Sequence, residues 1–460
     1  PPPPPPPPPP PIFFLNPYAA FGYSSTSRGL GDVYKRQAFR LISSTTWDYD
    51  HADMKELNEK IYGNDLAEKF DRYYKKSIEE DWFPDYSKNG WKMGIFAGNN
   101  GANWRATGST WRKTAFEELE TIVSLAPDMG VTSLYSDYVL PIAHHYERND
   151  LMLQSRVPYL QVLNEAVPPL GEAVDDWEAN RRLAEAISRR AKERNIKPIQ
   201  DAVDGRTVRR DYTKTLELYT MGGRVNNSKD VAQFIINASH GIPKISFEEL
   251  SQKGIVKVEG VENTMWEKDE SPYHNEIVKS VRKKLPYETF TGRQQFYIDH
   301  EWFIEFGETL PTFKEPLEID DFPLRMMMGH ARHGIHSTWR DDSFLLSLQR
   351  GEPDIYVNPD DAINRGVEDG DMIRIYNTAG EFFAMAHVSS GIQPGMLFMY
   401  HGWDPKMFKG GKNFSEVIPT GGLIKPTSMA GDYGHLGYQP LAFAPNQTYK
   451  DFTCDFEKSA

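Results

Sequence analysis

Cysteine is almost missing from this chain of 460 residues, which contains one, Cys454. A single thiol excludes an internal disulfide, a four-cysteine zinc site and a self-contained iron-sulfur cluster. Long apolar runs are missing too, since none approaches the ~18 residues needed to cross a bilayer. The sequence therefore contains no direct membrane span. Basic residues are in deficit, with 52 Lys and Arg against 65 Asp and Glu and a formal net charge of -13. Because phosphate binding depends on clustered cations, this balance excludes the usual nucleic-acid binder. What is abundant is apolar and aromatic bulk, 39% and 13% of the residues, enough to build the cores of two or three soluble domains.

Histidine is also scarce, yet three fall in "GHARHGIHSTWRDD", residues 329–342. His330, His333 and His336 recur every third residue, as metal ligands on a helix would. Gly334, Ile335 and Thr338 oppose a helix, and no acidic residue stands between two histidines at the spacing of a zinc-hydrolase helix. Three readings stay open at this level: a metal site, a polar surface loop, and a loop wrapped around an organic cofactor rich in nitrogen and oxygen.

The first eleven residues are prolines, which would form a polyproline II rod able to dock in aromatic grooves. The following stretch ends "SSTSRGLGDVYKRQ", which resembles translated sequencing adapter. Residues 1–37 are accordingly expected to be an artefact, and the chain from Ala38 onward the tail of a longer protein.

Beyond that point a helical stretch is expected near Asp53 to Lys75 and a buried strand at Met93–Ala97, which runs into the loop "GNN". Glycine lets a backbone approach a ligand, and asparagine adds donors and acceptors. A second strand, Thr121 to Leu125, feeds another polar loop; strands alternating with helices predict a parallel α/β layer. The segment "DDWEANRRLAEAISRRAKERN" predicts a helix with Trp177, Leu183, Ile187 and Ala191 on one face and a cap formed by Asp175 with Glu178. Residues 196 to about 313 carry no legible chemistry, and a proline-punctuated acidic segment leads to a boundary near residue 320.

From Leu324 the pattern becomes β-rich. "LRMMM", "DIYVN", "MIRIYN", "EFFAMAHV" and "GMLFMYHGW" read as strands, with a short helix capped by Asn358 and opened by Pro359. This order predicts a small closed barrel in residues 321–460, with the histidine run as the loop after its first strand.

Four motifs, "IHSTWRDD", "VNPDDAINRGVEDGDMIRIYN", "QPGMLFMYHGWDP" and "KPTSMAGDYGHLGY", resemble in their order the C-terminal domain of molybdopterin oxidoreductases of the dimethyl sulfoxide reductase family. "TSLYSDYVLPIAHHYERND" and "DDWE" are similar to the middle section of its type II group, the respiratory nitrate, selenate and chlorate reductases, dimethyl sulfide dehydrogenase and ethylbenzene dehydrogenase. The resemblance spans most of 92–457. It implies an α/β fold in which a parallel-sheet layer, part of residues 38–320, precedes a C-terminal double-psi β-barrel, the whole being a fragment of a larger multidomain enzyme.

The same resemblance implies a bis-molybdopterin guanine dinucleotide cofactor. Its expected contacts are His330, Arg332, His336, Ser337 and Thr338 in the first barrel loop, His401 after "FMY", and Gly98, Asn99 and Asn100 toward the guanine half. Imidazole and hydroxyl groups suit a pterin edge, which displays both donors and acceptors. Two departures from the family pattern stand out: position 333 is histidine instead of tryptophan, and the guanine-binding acid expected after the second strand is Ala126, with Asp128 nearby. The molybdenum ligand and a [4Fe-4S] cluster are expected in an N-terminal half not present in this sequence. An iron-sulfur electron-transfer subunit, a haem b subunit and a small-molecule substrate are the implied partners, with the periplasm the implied compartment. Asp137, in "YSDYVLP", is expected to act in folding. Two further readings stand beside this one: a non-catalytic binding module with a proline-rich arm, and a histidine-dependent metal hydrolase.

Overall fold

The computed structural model describes residues 63–79, 92–104, 108–153, 159–203, 206–239, 242–258, 321–334, 336–338, 342–348, 351–418 and 452–459, together with a few isolated positions such as Arg340. Residues 1–37 and the motif "KPTSMAGDYGHLGY" lie outside the described residues. In chain order the elements are α1 (Asn64–Glu79), β1 (Met93–Ala97), α2 (Gly101–Trp104), α3 (Gly108–Lys113), α4 (Ala115–Glu118), β2 (Thr121–Ala126), α5 (Val131–Leu134) and β3 (Tyr138–Pro141). They continue with β4 (Asp150–Leu153), β5 (Tyr159–Leu163), α6 (Asp176–Glu193), β6 (Ile199–Val203), β7 (Arg206–Arg210), α7 (Thr215–Tyr219), α8 (Ser228–Ala238), α9 (Phe247–Lys253) and β8 (Ile255–Lys257). The last group is β9 (Leu324–Gly329), α10 (Ser343–Ser347), β10 (Asp354–Val357), α11 (Pro359–Asn364), β11 (Met372–Asn377), β12 (Gly380–Val388), β13 (Met396–Tyr400) and β14 (Phe452–Lys458).

The described residues divide into two compact units, one made of those within 125–127 and 139–292, the other of those within 63–124, 128–138 and 293–460. In the first, β4, β5 and β8 form an antiparallel sheet. Its core gathers Leu160, Ile236 and Leu250. The helix α6 begins as its sequence predicts, with the Asp175 side chain accepting from the Glu178 amide. Its buried face keeps Trp177 and Ala191 of the expected one and adds Ala184 and Ser188, while Leu183 is 43% exposed. At 100° per residue Leu183 lies about 120° around the helix from Trp177, outside a one-sided stripe. Ser188 is tolerated inside because its hydroxyl accepts from the Leu216 amide at 2.9 Å.

The parallel α/β layer is the three-stranded sheet β1-β2-β3. In the second unit, Ala102, Trp111, Ala115, Phe116, Ile122 and Val131 pack together beside it. Asp137 has the structural part its motif predicts, since its carboxylate accepts from the Ile122 amide at 2.7 Å and its own amide donates to the Ile122 carbonyl at 2.9 Å. Asp137→Ala leaves that strand amide without its acceptor and is expected to cost about 1–3 kcal/mol. Urea denaturation would read the loss, and an unchanged midpoint would contradict this assignment.

The same unit holds a closed barrel with strand order β10-β12-β11-β14-β9-β13. Alternation dictates which residues point inward: Leu324, Met326 and Met328 from β9, Ile373 and Ile375 from β11, Phe382, Ala384 and Ala386 from β12, and Phe452, Cys454 and Phe456 from β14 are all buried. Local chemistry sets the connections. Asn358 caps α11 by accepting from the Asp360 amide at 2.9 Å, with Pro359 at the first helical position. Strands β9 and β13 run parallel, with Tyr400 opposite Gly329, so their two following loops leave the barrel at the same end.

Candidate functional site

That shared end carries the site. His330 directly follows β9 and His401 directly follows β13; the His401 amide donates to the Gly329 carbonyl at 3.0 Å, so parallel pairing alone brings the two histidines side by side. His336 returns from the β9 loop with φ of 53°, in the left-handed region that non-glycine residues seldom occupy. Its carbonyl lies against Gly402, where an added Cβ would stand 2.1 Å from the His336 oxygen. Only glycine permits this approach, at φ of 97°.

The three imidazoles converge. Ring centroids are 4.7 Å apart for His330 and His336, 4.8 Å for His330 and His401, and 5.3 Å for His336 and His401, the last pair being stacked. One nitrogen from each lies within 4.8 Å of the other two. His330 and His336 are exposed and His401 is half-buried, so a ligand can reach the rings while the backbones beneath them are fixed. Ser337 and Thr338 are half-buried beside them in sequence, whereas Arg332 and His333 are exposed and His333 does not join the trio.

Below the rings, Arg340 is 2% exposed and donates to the His401 carbonyl at 2.6 Å. Its guanidinium lies 4.4 Å over the Trp403 ring. Burial pulls its pKa below the usual arginine value, and the charge of Asp404 opposes that shift. The loop of Trp403 and Asp404 is in turn fixed to the α/β segment: Asn103 Nδ2 donates to Asp404 Oδ1 at 3.0 Å, while Asn413 Nδ2 donates to Asn103 Oδ1 at 2.7 Å and to the Trp403 carbonyl at 3.1 Å. Buried amides satisfied on several sides define a single loop position. Nearby, Arg112 of α3 pairs with Glu416 at 2.6 Å.

The loop after β1 meets the same region. Asn100 Nδ2 donates to Ser337 Oγ at 3.0 Å, and its Oδ1 accepts from the Thr132 amide at 3.0 Å. Its amide thus joins the strand loop, the start of α5 and the histidine loop. Gly98, with φ of 57°, and Asn99 are exposed on that loop. Ala126 is the last residue of β2, and Asp128 stands just beyond it and is exposed. The sequence-predicted residues His330, His336 and His401 come together, and Arg332 is exposed on the loop between the first two. Arg340, Gly402, Asn103 and Asn413 were missed by sequence reasoning. Only the glycine in "HGWDP" carried a usable local signal, since the others meet partners far away in the chain.

Two regions match described families: residues 66–186 match Molybdopterin oxidoreductase, and residues 324–432 match the Molydopterin dinucleotide binding domain. Over 444 residues the chain is 32% identical to the respiratory nitrate reductase subunit alpha of Haloferax mediterranei, which spans 91% of this chain and 44% of that protein. It is 31% identical over 430 residues to the dimethylsulfide dehydrogenase subunit alpha of Rhodovulum sulfidophilum, covering 91% of this chain and 46% of that one. The chain therefore spans less than half the length of these curated relatives. In fold it is similar to acetylene hydratase from Pelobacter acetylenicus, with a TM-score of 0.57 at 16% identity, over 94% of this chain and 53% of that structure. These matches do not favour a free-standing binding module.

Proposed function

Because this chain belongs to the molybdopterin oxidoreductases, we propose that it forms the cofactor-holding portion of a longer catalytic subunit that carries bis-molybdopterin guanine dinucleotide. The observation that carries this reading is the convergence of His330, His336 and His401, with the Ser337 hydroxyl adjacent, at one mouth of a barrel inside the dinucleotide-binding match. The donor set fits the group: imidazoles can donate or accept along a pterin edge, and hydroxyls do both. When bound, the cofactor supplies a metal centre for two-electron oxygen-atom transfer or hydroxylation.

The residues of this chain bind and orient. His330, His336 and His401 would hold the pterin edge, while Arg340, donating to the His401 carbonyl, fixes the backbone that carries one of them. Asn100 acts through Ser337, holding that hydroxyl in place, and Gly98 and Asn99 offer backbone and amide groups toward the nucleotide end. Thr338 and Arg332 border the same loop. The longer protein works in anaerobic respiration on an oxyanion such as nitrate or chlorate, or on a reduced substrate such as dimethyl sulfide. The relatives are alpha subunits, which supports partner subunits; the partners assigned by this reading are an iron-sulfur electron-transfer subunit and a haem b subunit. A [4Fe-4S] cluster in the longer protein and a periplasmic location complete the proposal.

In the longer protein, His336→Ala is expected to lower bound molybdenum several-fold, measured by mass spectrometry, together with turnover on nitrate or chlorate using a reduced viologen. Unchanged molybdenum content and rate would remove His336 from the site.

A further inference from the structure

We infer that His330, His336 and His401 form a divalent transition-metal site in the cofactor-free chain, suited to an ion of intermediate softness such as zinc, cobalt or nickel. Neutral imidazole is the commonest protein ligand for these ions. One nitrogen from each ring already lies within 4.8 Å of the others. Tetrahedral coordination at 2.0–2.1 Å needs ligand atoms about 3.3 Å apart. Closing the triangle from 4.8 Å requires each nitrogen to move inward by about 1 Å, within the reach of small side-chain torsions.

The backbones are arranged independently of any ion. Parallel pairing of β9 with β13 sets His330 beside His401, and the close approach of Gly402 to the His336 carbonyl sets the third. A site whose ligand-bearing backbone is fixed by the fold loses little entropy on binding. Three histidines with the fourth position open match the donor count of solvent-accessible zinc sites. The buried Arg340 places a cation under this end of the barrel, and Asp404 acts on it with opposite charge. His333, which shares the three-residue repeat in the sequence, lies outside this set, and His401, distant in sequence, completes it.

These are also the imidazoles assigned to the pterin edge, so ion and cofactor would exclude one another. That exclusion rests on the proposed function; binding of the ion does not. The test is a cobalt(II) titration of the full chain purified without cofactor, read by visible d–d absorption. One equivalent of cobalt in a low-coordinate, nitrogen-rich environment is expected. His330→Gln, His336→Asn and His401→Gln, each confirmed as folded by circular dichroism, should weaken binding at least about tenfold, whereas His333→Ala should leave it unchanged. Asparagine suits position 336 because it tolerates the left-handed backbone. Absence of the absorption, or equal binding in any folded member of the three, overturns the proposal. Cobalt binding that depends on the trio, with no effect of His336→Ala on molybdenum content in the longer protein, would instead retire the cofactor reading alone.

Discussion

Gly402→Ala is expected to destabilise the barrel unit by about 3 kcal/mol or more and to scatter the histidine trio. The Cβ would stand 2.1 Å from the His336 oxygen, 2.6 Å from its carbonyl carbon and 3.2 Å from the Ser337 nitrogen. All three are backbone atoms, so no side chain can swing aside, and the residue must also keep φ of 97°. Relief requires the loop after β9 to retreat, which withdraws His336 from His330 and His401. Gly370 is the control: its φ is 86°, yet nothing lies within 4 Å of an added Cβ. Gly370→Ala should then cost only the backbone penalty of about 1–2 kcal/mol. Urea denaturation of both variants compares the two costs, and equal losses would show that the contact with His336 is soft.

Removing Arg112 should be nearly as damaging, with Arg112→Ala expected to cost about 3–5 kcal/mol. The guanidinium donates to Glu416 at 2.6 Å and to the Ala102 carbonyl at 2.5 Å. The side chains of Arg112 and Glu416 are only 8% and 12% exposed. Truncating the cation leaves a largely buried carboxylate facing Lys113, at 3.5 Å and 71% exposed. The penalty comes from that stranded charge and not from the net worth of the pair, so Arg112→Met combined with Glu416→Leu should recover most of the loss. By contrast the exposed pair of Lys92 and Glu120 should contribute about 0–1 kcal/mol when either member is replaced. A double variant as unstable as Arg112→Ala would mean that the two sites are held by shape and not by charge.

The barrel was legible because its signals are local. Inward and outward residues alternate along β9, β11 and β12, and a strand's period of two leaves one face for the core. The caps of α6 and α11 lie within three residues of the amides they serve. The face of α6 was less legible, since leucine marks hydrophobicity but not direction, and small residues such as Ala184 and Ser188 share the buried stripe with Trp177 and Ala191. Asn100, singled out for a place near the nucleotide, has its side chain engaged by protein groups, Ser337 and Thr132.

Composition, periodicity and motif order by themselves determined the type of chain, the strands of the barrel and the loop that opens its site, because each depends on residues close in sequence. The tertiary structure decided the rest. Asn103 meets Asp404 and Asn413 across 301 and 310 positions, and Arg340 reaches the His401 carbonyl across 61. No pattern within a single element encodes such meetings. Parallel pairing of β9 with β13 sets His401 beside His330, because strand register fixes neighbours in space whatever their separation along the chain.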